Sequence, residues 1–274
     1  MAVLEKLRGV ARQLFGAQLH PKIDEPRQRN YSKFRYEGHS SQSLVQAVVA
    51  YSKRRGDQLN RVQKRALEKY RTRNTYRTGN ADNLPIGQIL DSYFLLFDDL
   101  FFGESLAGCC KLKIHTTQAS HAAGRGRKLH GRTDTDTDYY DGKPVPFNTI
   151  HLYAERGSAR AQIHMQIETL LHEMVHAFLA SYAFQRDSDN RSIEYHGRKG
   201  HGYPFLDICF ALENAVKDPH ILGKELNIDI TNSLAKELVG GELPIPRDLN
   251  RWGVDRDELT KLVDRMKKEK RKKR

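Results

Sequence analysis

The sequence predicts an α+β fold, with helices packed on a small, mostly antiparallel sheet and basic extensions at both ends. Three observations predict it. Two short stretches, 111–115 (KLKIH) and 148–155 (NTIHLYAE), alternate with period two, the pattern of a half-buried strand. Longer stretches carry apolar residues at helical spacing, most densely at 158–184. The 274 residues are 38% hydrophobic and 29% charged, too polar for one tightly packed globule of that length but sufficient for a core with extensions.

The elements follow in chain order. Residues 1–15 set Leu4, Leu7, Ala11 and Leu14 at helical spacing with Arg8 and Arg12 opposite. They lack the apolar run of a secretory signal; a mitochondrial presequence is the alternative, and Glu5 argues against it. A polar linker at 22–41 leads to helical stretches at 42–54 and 58–72, the second carrying Arg61, Lys64, Arg65, Lys69 and Arg71. After a break at Ala81–Pro85, a densely apolar helix runs from Ile86 to Phe102 and ends at Gly103. The strand at 111–115 comes next, then a Gly/Asp/Thr-rich excursion over 119–147 that ends in the turn Asp141–Pro144.

The strand 148–155 places Ile150 and Leu152 on one face. The helix at 158–184 starts at Ser158 and carries the stripe Ile163, Ile167, Leu170, Leu171, Met174, Val175 and Phe178. A polar loop over 185–200 precedes a helix opened by Pro204, with Phe205, Ile208, Leu212 and Val216 on its apolar face. A last helix starts behind Asp255, with Glu258 completing a capping box and Val254 and Leu259 at the staple positions. The expected organisation is a basic extension over 1–80, a central domain over 84–220 and a C-terminal extension over 221–274.

Charge is segregated along the chain. Residues 1–80 hold 18 Lys+Arg against 6 Asp+Glu, the last ten hold 8 against 1, and the stretch between them is mildly acidic. Cationic ends on an acidic body suit a polyanion partner such as DNA, through the N-terminal region or the tail. They also suit a nuclear address, so a nuclear location is expected, with a cytoplasmic one as the alternative. No apolar run approaches the roughly 20 residues of a membrane span. Three cysteines, Cys109, Cys110 and Cys209, supply neither a disulfide framework nor a four-cysteine zinc ribbon.

The chemistry sits on the long helix. His172 and His176, four residues apart, lie one turn apart on the same helix face and can grip one cation. Glu173, about 100° around the helix, can reach a water on that cation without ligating it. Zn2+ takes nitrogen donors at about 2.0–2.1 Å and, with three protein ligands, keeps a place for a water whose pKa falls to about 7. The third ligand must come from downstream, because Leu179 and Tyr182 stand where an elongated motif would need glycine and histidine. His201, His196 and Glu194 are the candidates, and Gly200 and Gly202 around His201 favour it by leaving room for close approach.

These residues carry a resemblance. The run ETLLHEMVHAFL (168–179) followed by GHGYPFLDI (200–208) resembles the SprT-like metalloprotease domain of the Spartan family. FDDLFFGESL (97–106) and TIHLYAE (149–155) are similar to flanking segments of that domain, so the likeness spans roughly 86–216. It implies a zincin-like core, Zn2+ held by His172, His176 and His201, and Glu173 as general base and acid. It further implies a zinc endopeptidase associated with DNA and acting on protein substrates, including proteins crosslinked to DNA. The chain departs from the pattern in two ways: the loop between His176 and His201 is longer, and no cysteine-rich zinc ribbon follows. The alternatives are a non-catalytic nucleic-acid-binding protein with a structural zinc site, and a zinc peptidase without DNA dependence.

Other features receive plainer readings. The run Thr133–Asp138 (TDTDTD) fails as a calcium loop, since Tyr139 and Val145 stand where glycine and glutamate are needed, and is expected to be a solvated acidic loop. His164 and Glu168 share the helix row of the two histidines, either as supports for an imidazole or as plain surface. The strand 149–155 is expected to hold extended substrate by edge pairing. Tyr139, Tyr140 and Tyr195 are candidate oxyanion donors. Arg125, Arg127 and Lys128 form a small basic loop patch, and Cys109 and Cys110 are expected to pack.

Overall fold

The computed structural model describes residues 39–76, 84–115, 130–140, 143–153, 159–183, 200–239 and 244–272. The expectations for residues 1–15, Ser158, Glu194, Tyr195, His196 and the patch at Arg125–Lys128 lie outside these residues.

The fold is α+β, with more helix than strand. Helix α1 (Ser41–Ser52) is capped by the Ser40 hydroxyl, which accepts the Ser43 N–H, and α2 (Arg61–Thr72) by a reciprocal Asn60–Gln63 capping box. Helix α3 (Ile86–Phe97) continues through a wide turn over Asp98–Phe102 and stops at Gly103, whose φ of 65° supplies the left-handed residue that ends it. The buried Asp98 carboxylate accepts the amides of Leu106 and Ala107, both at 2.9 Å, and so fastens the exit from this turn to its start.

Three strands form one mixed sheet in the order β1 (Cys110–His115), β3 (Lys143–Tyr153), β2 (Gly131–Tyr140). Strand β1 runs parallel to β3, and β2 runs antiparallel to it. The sheet is therefore mixed where a mostly antiparallel one was expected. Two further expectations are corrected here. Residues 131–140 belong to strand β2 and 143–147 to β3, and TDTDTD is part of β2. Aspartate is a poor strand former, which hid the period-two alternation of threonine and aspartate in that run. The pairing puts Thr133 opposite Ile150 and Thr135 opposite Asn148, both on the helix-covered face, so the intervening aspartates point the other way. The second correction concerns β3: it is the central strand, flanked on both sides, and cannot pair with a substrate by its edge.

Helix α4 (Ala159–Tyr182) packs on β2 and β3. Every residue of its expected stripe, from Ile163 to Phe178, is buried. Helix α5 (Tyr203–Lys217) begins with Pro204 in its first turn and packs against α1 and α4. An irregular segment leads to α6 (Ile230–Leu238), followed by the short α7 (Pro246–Arg251) and by α8 (Arg256–Lys272). The Asp255 carboxylate accepts the Glu258 N–H, and Val254 and Leu259 are both buried, as the capping pattern requires. One apolar core runs from Leu44 on α1 and Leu67 on α2 to Leu259 and Val263 on α8. Helices near both chain ends thus share the core that α4 crosses.

Candidate metal centre

Helix α4 presents His172 and His176 one turn apart, with ring centroids 5.0 Å apart. His201 arrives from the two residues before α5. The preceding Gly200 takes φ +79°, and a Cβ there would lie 3.4 Å from His176 Cε1, so glycine suits both the backbone and the close approach. Gly202 is in an ordinary extended conformation with φ −68°.

The three imidazoles converge through Nε2. His201 Nε2 lies 3.2 Å from His176 Nε2 and 3.3 Å from His172 Nε2. Nitrogens at tetrahedral positions around a zinc ion, each about 2.05 Å from it, would stand about 3.3 Å apart. Residues 172, 176 and 201 can therefore hold a metal ion, and their ligand atoms all lie within 4.8 Å of one another. Burial pushes the His172 pKa down to about 3 and that of His176 well below its ordinary value, so both rings stay neutral, the form that ligates. His172 donates its Nδ1–H to the Ile228 carbonyl at 3.0 Å, which fixes the tautomer with the Nε2 lone pair facing the cluster. The His201 backbone N–H donates to Glu237 Oε1 on α6 at 3.0 Å.

Phe205, the third residue of α5 and 1% exposed, packs against all three rings. Its centroid is 4.4 Å from that of His176, nearly parallel to it, and 4.9 Å from those of His172 and His201. The ring forms an apolar floor that holds each imidazole in place without competing for its nitrogens.

Glu173 is buried beside this cluster. Its carboxylate accepts the Thr133 hydroxyl at Oε2, 2.8 Å away, and burial pushes its pKa up to about 7. Strand β2 comes this close because residue 131 is glycine. A Cβ there would lie 2.5 Å from Thr169 Cγ2 and 2.9 Å from Glu173 Cγ, both too near. Sequence reasoning missed Gly131 and Thr133 alike. The only signal was the threonine–aspartate alternation, concealed by its acidic composition.

The remaining candidates fall elsewhere. Tyr139 and Tyr140 stand at the far end of β2 from Gly131, and their side chains lie outside the described part of the structure. Glu168 does not join the cluster: its Oε1 accepts the Asn227 N–H at 2.8 Å and lies 3.2 Å from His164 Nε2. Cys109, Cys110 and Cys209 are buried among core residues. No helix among the described residues is long and apolar enough to cross a membrane.

Comparison with protein families, curated proteins and solved structures finds no match to this chain.

Proposed function

We propose that the chain is a zinc-dependent endopeptidase with a zincin-like core of the SprT-like type, and that it works in association with DNA. The observation that carries this reading is a single juxtaposition. Three imidazole nitrogens stand at zinc spacing, two from the buried helix α4 and one from the residues before α5, and the residue next to the first is a buried carboxylate. A site that only stabilised the fold would have no use for that carboxylate.

Zinc, when bound, supplies a Lewis acid that polarises a scissile carbonyl and acidifies a water. His172, His176 and His201 would hold it. Glu173 acts on protons: Thr133 occupies Oε2, and Oε1 takes a proton from the attacking water and returns it to the leaving amine. A carboxyl group with a pKa near neutrality does both at pH 7. Substrate would lie along β2 rather than β3, because no described strand pairs with the outer edge of β2 and its Gly131–Thr133 end abuts Glu173. An extended peptide added there is gripped through its backbone, which demands little of its sequence.

Association with DNA is supported by cation placement. Arg61, Lys64, Arg65 and Arg71 are exposed on α2, and Lys268, Lys270, Arg271 and Lys272 on the last turns of α8. Further basic residues lie in the N-terminal forty. A nuclear site of action accords with this charge.

The test is a protease assay on the purified chain with zinc, with and without DNA, beside Glu173→Gln. The expected result is cleavage that DNA stimulates and that the variant abolishes. Full cleavage by Glu173→Gln would contradict the reading, and cleavage indifferent to DNA would remove the DNA part of it.

A further inference from the structure

His172 owes its orientation to the Ile228 carbonyl, and Ile228 lies in the irregular segment between α5 and α6, where no ladder of backbone hydrogen bonds holds the chain. Three consecutive amides of that segment are nevertheless bound. The Asn227 N–H donates to Glu168 Oε1 at 2.8 Å, the Ile228 N–H to Glu213 Oε1 at 2.6 Å, and the Asp229 N–H to the Oδ1 of Asn227 at 2.8 Å. Glu168 stands on α4, one turn before His172. Glu213 stands on α5, the helix that His201 introduces. Leu226 and Ile228 plug the segment into the core at 6% and 0% exposure.

Two acidic side chains are a costly means of satisfying amides that any neutral acceptor would satisfy. Burial pushes Glu213 up to about 7, with the Glu168 and Asp229 carboxylates adding to the rise. The return is rigidity, because hydrogen bonds to carboxylates are short and strong. Each of the two helices associated with the ligands grips an adjacent amide, so the carbonyl between them and His172 is located relative to both.

We propose that Glu168 and Glu213 are positioning residues of the metal centre, which clamp the Asn227–Ile228 backbone so that the Ile228 carbonyl holds His172 with Nε2 presented to the ion. This rests on the metal-centre reading above. It goes beyond that reading by assigning a role to two carboxylates that neither ligate nor touch the reacting atoms.

The experiment titrates the metal-free full chain with Zn2+ against a competing chelator, and with Co2+ followed by its visible absorption. It compares wild type with Glu168→Ala, Glu213→Ala, Glu168→Gln and Glu213→Gln. Each alanine variant is expected to bind zinc about 10–100-fold more weakly and to alter the Co2+ bands. Each glutamine variant, which keeps an acceptor oxygen, is expected to recover most of the loss. Wild-type affinity in both alanine variants, or an equal loss in the glutamine variants, overturns the proposal while leaving the metal centre standing. A wild-type chain that takes up no zinc overturns both. If an alanine variant does not fold, Glu168→Asp and Glu213→Asp, whose shorter carboxylates fall short of the Asn227 and Ile228 amides, take its place, and wild-type zinc affinity with unchanged Co2+ bands in both overturns the proposal.

Discussion

The Thr133 hydroxyl, on the edge strand β2, donates to Glu173 Oε2 on α4 at 2.8 Å and lies 3.1 Å from the Glu173 backbone carbonyl. This one side chain joins sheet to helix at the carboxylate proposed to carry the proton. Thr133→Val keeps the shape of the side chain and removes the donor. The variant is expected to lose about tenfold or more in kcat with little change in zinc affinity, and Thr133→Ser to restore most of it. Steady-state kinetics beside zinc titration checks both halves.

Gly131→Ala tests the contact between β2 and α4. The added methyl meets Thr169 and Glu173 at distances that carbon atoms do not tolerate, so strand or carboxylate must shift. Because a displacement of about 1 Å at a catalytic group can cost about 100-fold, activity is expected to fall at least that far. His172, His176 and His201 lie away from the added methyl's contacts, so zinc content measured by atomic absorption is expected to stay at one per chain.

Phe205→Ala removes the floor common to three imidazoles. Loss of a buried ring costs about 3–5 kcal/mol of stability by the usual cavity arithmetic. Urea unfolding of the metal-free chain reads that cost, and the zinc-loaded chain should lose still more because its ligands are no longer held in place.

The Glu213 carboxyl predicts a pH dependence of stability. Its folded pKa, about 7, lies above its ordinary value of 4.5, so the native state binds the proton more tightly than the unfolded chain does. The native state is favoured below about 4.5, and that advantage is lost as pH rises to about 7. Glu213→Gln keeps the acceptor for the Ile228 N–H and carries no charge. It should therefore exceed wild type by on the order of 1–2 kcal/mol at pH 8 and match it near pH 4.5. Urea unfolding of the metal-free proteins at the two pH values checks the sign.

Much of this was legible in the sequence, where hydrophobic period and turn chemistry agreed. The α4 stripe, the Gly103 stop, the Pro204 start and the Asp255 cap each rest on a local pattern, and each holds in the structure. His201 was legible as the third member of the cluster because its glycine neighbours announced a close approach. What stayed hidden depends on contacts between distant segments. Strand β2 is stabilised by its pairing with β3 and its packing under α4, and Asp134, Asp136 and Asp138 carry no such information. Gly131 looks like one more glycine in a glycine-rich run until Glu173 is placed against it. The clamp on Ile228 joins residues 168, 213 and 228, a relationship that no periodicity encodes. Helix α6 is short and its first residue follows Asp229 at φ 64°, without a side-chain cap to signal it.

The account stands on His172, His176 and His201 closing on a single ion, and metal stoichiometry tests that most directly. Purified wild type and Glu173→Gln should each bind one zinc per chain with the same affinity, while His201→Ala should lose most of that affinity and all cleavage. Zinc bound just as tightly by His201→Ala, or not bound at all by the folded wild type, would contradict it.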